Sequence, residues 1–99
     1  MSIFQKGMAE FIGTFLLVMV PLGLATQGQT LMVVSSAFGV TLFIIATALG
    51  PVSGGHFNPS VSAAMSLMGK LSLAERPVYW LTQIAGVKLP LFRTPILDS

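Results

Sequence analysis

The side chains able to do acid–base or metal chemistry here are few: one histidine, His56, and three acidic residues, Glu10, Glu75 and Asp98, with no cysteine. A metal site needs several such ligands at short spacing, and His56 has no such company. Nor is there a paired-carboxylate motif, a Ser-x-x-Lys site or a phosphate-cradling glycine loop, so an enzyme is not expected. What remains is hydrogen bonding. Ser53-Gly54-Gly55-His56-Phe57-Asn58-Pro59-Ser60 joins a glycine-rich stretch to a strong helix start. Asn caps free N–H groups and Pro suits the first helical position. Glycines allow an extended backbone whose carbonyls form a row of acceptors, while the amides and the positive dipole end at Asn58 supply donors and disfavour cations. An ordinary helix cap is the plainer reading of Asn58 and Pro59. His56 is expected to hold the loop through its side chain while its carbonyl stays available.

The elements around this segment decide between those readings. Gly7 to Thr26 is apolar apart from Glu10, Thr14 and Thr26, and at about 1.5 Å per residue it covers roughly the 30 Å hydrocarbon core of a bilayer. A secretory signal is the alternative, but no A-x-A cleavage pattern follows. The turn Gln27-Gly28-Gln29-Thr30 leads to a second span, Leu31 to Leu49, uncharged throughout. Its small residues, with Ser35 and Gly39 at small-xxx-small spacing, suit close helix packing. Gly50 to Phe57 reads as irregular. A helix from Pro59 to about Met68 follows, closed by Gly69 and Lys70, and at roughly 15 Å it crosses half a bilayer. Irregular backbone at such depth is tolerated only beside protein or a water-filled cavity.

Ser72 and Glu75 form a capping-box pattern before a third apolar stretch that starts near Pro77. This stretch is expected to stop by Val87, where Lys88, Pro90, Arg93 and Pro95 bring charge and remove helix hydrogen bonds. Residues 1–87 therefore read as one unit and 88–99 as a divergent or disordered tail.

Composition agrees with a lipid solvent. The chain has 99 residues, 54% hydrophobic and only 8% charged, against about 25% charged in soluble domains. Its net charge of +2 comes from scattered Lys6, Lys70, Arg76, Lys88 and Arg93, with no basic run for nucleic acid. Lys6 precedes the first span, and Lys70 and Arg76 follow the second, which predicts a cytoplasmic amino terminus. Glu10, costly in lipid, should face the bundle interior, although snorkelling to the interface is an alternative. The methionines read as gap-fillers.

The run Ala9-Glu10-Phe11-Ile12-Gly13-Thr14-Phe15 resembles the first-helix signature of the major intrinsic proteins, the aquaporin and aquaglyceroporin family. Ser53 to Ser62 resembles their first Asn-Pro-Ala loop, and Tyr79-Trp80-Leu81-Thr82-Gln83-Ile84-Ala85-Gly86 their third-helix start. The resemblance spans about Ala9 to Gly86 and implies an all-α membrane fold, the amino-terminal half repeat of such a channel. Two full transmembrane helices, a re-entrant loop with a half-length helix and an incomplete third helix are expected. It further implies a cell-membrane channel for water, or small neutral solutes such as glycerol, that needs no cofactor and in the family assembles as a tetramer. The carbonyls of Gly54, Gly55 and His56 would line the pore, Asn58 would donate to the solute, and Glu10 would support the loop. Phe38 matches the filter aromatic of water-selective members, though plain packing would also explain it. Ser60 departs from the motif's Ala. A truncated, non-conducting protein that associates with full-length channels is the alternative.

Overall fold

The computed structural model describes residues 2–92 and is helical, in the order α1 (Ile3–Thr26), α2 (Leu31–Ser53), α3 (Pro59–Leu67) and α4 (Glu75–Phe92). Helix α1 starts four residues earlier than expected. Ser2 accepts from the Gln5 amide while the Gln5 side chain accepts from the Ser2 amide, so a capping box sets the start. Thr30 caps α2 by accepting from the Val33 amide.

Helix α2 runs through Gly50 and Pro51 to Ser53, so the irregular segment is shorter than the expected Gly50 to Phe57. Proline costs one helix hydrogen bond. Leaving lipid-depth backbone unpaired over several residues costs more, so the helix carries the proline and continues. Helix α1 likewise holds Pro21, and α4 continues through Lys88 and Pro90 rather than stopping at Val87. The proposed break at residue 88 is therefore not a break in helix; Arg93 and Pro95 lie outside the described residues.

Helix α1 is the centre of the packing, contacting both α2 and α4, and α3 lies against α4. At Gly86 the α1–α4 approach is close enough that a Cβ would stand 2.9 Å from the Phe11 carbonyl oxygen. Among the described residues, α1 and α2 are long and apolar enough to cross a membrane. Lys6 of α1 pairs with Glu75 of α4, which places the starts of these two helices at the same end of the bundle.

Candidate functional site

The site is a loop of five residues, 54–58, pinned between helices by one carboxylate. Glu10 is fully buried on α1 and receives four donors. Its Oε2 accepts from the Ser53 hydroxyl at 2.6 Å and the His56 amide at 3.2 Å. Its Oε1 accepts from the Phe57 amide at 2.8 Å and the Gln83 side-chain amide at 2.7 Å. A carboxylate has about four acceptor sites, so each is used. Glu10 thus faces the interior and joins α1, the end of α2, the loop and α4.

The loop does not run extended, as the glycines had suggested. Gly54 and Gly55 have φ of 89° and 69°, and Phe57 has φ of 53°. The chain passes from the end of α2 to the start of α3 within five residues, and left-handed conformations turn it in a short length. For a residue as large as phenylalanine such a backbone is uncommon and persists only where surroundings over-determine it. Two contacts do so here: the Glu10 bond to its amide, and the packing of its buried ring on Gly13, where any Cβ would overlap the ring.

Asn58 ends the loop in extended backbone and its side-chain oxygen accepts from the Ser60 amide at 2.7 Å, with Pro59 as the first residue of α3. The Asn58 side chain is exposed. Its nitrogen donates to no protein group among the described residues. His56 bonds Ser62 of α3 through Nδ1 at 2.8 Å and tilts against the Tyr79 ring with centroids 4.9 Å apart. The Tyr79 hydroxyl in turn donates to the Ser53 carbonyl at 2.6 Å, and the Trp80 indole N–H to the Pro59 carbonyl at 3.3 Å. An open cavity of about 530 Å³ adjoins the loop, lined by Gly54, His56, Tyr79, Lys6, Lys70 and Glu75 among others.

The structure therefore brings Glu10, Gly54, Gly55, His56, Asn58 and Pro59 together. Phe38 stands apart. It lies on α2 with 46% of its surface exposed, and the fifteen residues to Ser53 correspond to roughly 22 Å of helix. Sequence reasoning missed Gln83, Ser62 and Tyr79 as members of the cluster. A signal existed: Tyr79 and Gln83 are polar residues four apart in an apolar stretch, and so share one helix face. Two buried oxygens in this region, Thr14 Oγ1 and Gln83 Oε1, have no hydrogen-bond partner among the described residues.

A helical membrane segment in which a buried carboxylate pins a glycine-turned loop to a half-length helix defines the class, and comparison with known proteins identifies the family. The major intrinsic protein model matches residues 1–90, and the chain belongs to that family. It is 39% identical over 89 residues to an aquaporin Z of Brucella melitensis biotype 1, a match covering 83% of this chain and 39% of that protein. It is 42% identical over 86 residues to a glycerol uptake facilitator protein-like 6 of Lactiplantibacillus plantarum, covering 83% of this chain and 38% of the relative. For rat aquaporin-5 the identity is 36% over 90 residues, covering 87% and 34%. The matched segment thus spans about two-fifths or less of each relative. Membership makes this a membrane protein of a channel family, not an enzyme.

Proposed function

We propose that this chain forms the amino-terminal half of a channel in the cell membrane that passes water, and small neutral solutes such as glycerol, down their gradients. The observation that carries this reading is the four-donor Glu10 site. It holds an abrupt loop so that α3 begins with an exposed Asn58 and with helix amides directed at the loop. The positive end of a helix favours electron-rich oxygen and disfavours cations. Gly54, Gly55 and His56 would then offer carbonyls, Asn58 its side-chain amide, and Phe38 an aromatic wall at a separate constriction further along α2. An aromatic at that place favours water over glycerol. The relatives' names divide between aquaporins and a glycerol facilitator, so both solutes belong in the test.

The shared end of α1 and α4, marked by Lys6 and Glu75, supports an amino terminus on the cytoplasmic side together with Lys70 and Arg76. Assembly of the whole channel as a homo-tetramer is part of the same reading. The alternative, a segment that associates with full-length channels without conducting, is favoured by one observation: among the described residues of α2 only Ile45 and Ser53 are buried, which leaves much of an apolar helix exposed.

Proteoliposome swelling separates the two. A full-length channel carrying these residues should pass water faster than glycerol, and equal rates would refute the role given to Phe38. The 99-residue segment alone should give rates near those of empty liposomes, because one half repeat supplies one half-helix where two positive helix ends are needed. A rate well above background, abolished by Asn58→Asp, would show instead that the half channel conducts.

A further inference from the structure

The hydrogens around Ser62 can be counted, and the count assigns the tautomer of His56. Gln83 Nε2 stands 2.7 Å from Glu10 Oε1 and 2.8 Å from Ser62 Oγ. A carboxylate that already takes two backbone N–H groups acts as an acceptor, so the Gln83 atom facing it must be the nitrogen. Its two hydrogens are then both committed, one to Glu10 and one to Ser62. Ser62 is fully buried, and its hydroxyl has one further hydrogen-bond partner among the described residues, His56 Nδ1 at 2.8 Å. A hydroxyl that accepts from Gln83 keeps one hydrogen of its own, and a buried hydroxyl hydrogen without an acceptor is costly. That hydrogen goes to Nδ1, which must therefore carry a lone pair.

We propose that Gln83, acting through Ser62, fixes His56 as the Nε2–H tautomer and so turns its outer ring edge into a hydrogen-bond donor at the cavity beside the loop. His56 lines that cavity, and its Nε2 lies on the side of Gly54. The ligand class is a small neutral molecule with an acceptor oxygen, water or a hydroxyl among them. Gln83 and Ser62 are positioning residues in this scheme, since neither meets the solute. The inference deepens the channel reading and rests on it for the identity of the solute, but not for the tautomer.

Because His56 is the only histidine in the chain, ring nitrogen-15 NMR reads it without assignment. The chain would be labelled at histidine, reconstituted in phosphatidylcholine nanodiscs and measured at about pH 8, above the ordinary imidazole range. Nδ1 should resonate as an unprotonated nitrogen and Nε2 as a protonated one, with the Nε2–H form in excess by roughly tenfold, the ratio set by about 1.4 kcal/mol of retained hydrogen bonding. Ser62→Ala should lower that ratio severalfold while the helical circular-dichroism signal of the same sample stays unchanged. Gln83→Leu should lower it less, because the hydroxyl then donates or accepts freely. A wild-type ring protonated at Nδ1, or a near-equal mixture, would overturn the proposal whether or not the variants fold. An unchanged ratio in a folded Ser62→Ala chain would also overturn it. None of these readings depends on conduction, so failure of the channel reading appears separately in the swelling assay.

Discussion

Helices α1 and α2 are nearly matched in length, 24 and 23 residues, and in mean hydropathy, 1.9 and 2.2 over their apolar windows, yet 28% of the first window is buried against 11% of the second. Apolarity does not account for the difference. Lipid tails are as apolar as leucine, so helices in a membrane associate where small residues permit close approach and polar groups find partners. Helix α1 has both: Gly7, Ala9, Glu10, Gly13, Thr14 and Pro21 are its buried residues. Helix α2 has small residues as well, but among the described residues nothing comes within 4 Å of a Cβ placed on Gly39 or Gly50. The α1–α4 seam thus buries small and polar residues together, whereas most of α2 stays unburied.

The strongest way to break the contrast is to remove the carboxylate. Glu10→Ala deprives the His56 and Phe57 amides of their acceptor, and each buried unpaired donor costs about 1–3 kcal/mol, so a loss of roughly 2–6 kcal/mol is expected. Glu10→Gln retains one acceptor oxygen and should fall between. Denaturant unfolding in micelles measures both. A loss below about 1 kcal/mol for Glu10→Ala would mean that the loop is held by other groups.

Next in size is Gly13→Ala, because the added methyl would overlap the Phe57 ring. Phe57 cannot simply swing away, since its left-handed backbone and its amide bond to Glu10 fix it. Overpacking of this kind costs about 1–3 kcal/mol. The matching change on the other helix, Gly39→Ala, should stabilise the segment by about 0.5–1 kcal/mol, since it meets open space and removes a flexible residue from a helix interior. Opposite signs in the same unfolding assay would sharpen the comparison. If Gly39→Ala also destabilises the 99-residue chain, the α2 face is covered even in isolation, as by a second copy.

How much of this was open to reading from residue types follows the same division. Helices α1 to α3 were legible because a bilayer demands long apolar runs and because Asn58-Pro59 is a strong start signal. The inward orientation of Glu10 was legible because a carboxylate in lipid is costly enough to force a partner. Gly50 to Ser53 and Lys88 to Phe92 are helical where the sequence reading ends the helices, because a proline removes one hydrogen bond whereas ending a helix leaves several backbone groups to be paired elsewhere. Gln83 was only half legible: its spacing from Tyr79 marks a shared polar face, but its partners are distant in sequence, 73 residues away at Glu10 and 21 at Ser62. Ser62 was not legible, because it is one of three serines in α3 and nothing in their spacing singles it out.

The smallest expected effect tests whether polarity in the α1–α4 seam matters only where it is paired. Thr14 is 1% exposed and sits one turn from Glu10 on α1, yet its hydroxyl oxygen has no partner among the described residues. Valine has nearly the shape of threonine without the hydroxyl. If pairing is what counts, Thr14→Val removes a buried group that contributes nothing and should leave stability unchanged or raise it by up to about 1 kcal/mol. The β-branched shape against Gly86 is kept, so packing supplies no competing loss. A drop of about 1 kcal/mol or more in the unfolding assay would mean that the hydroxyl is hydrogen-bonded in the membrane. Gln83 Oε1, the other unpartnered buried oxygen in the same region, would then be the first acceptor to examine. Making Gln83→Leu both in the unaltered chain and in the Thr14→Val variant gives the answer as a double-mutant cycle, since independent residues add and paired ones do not.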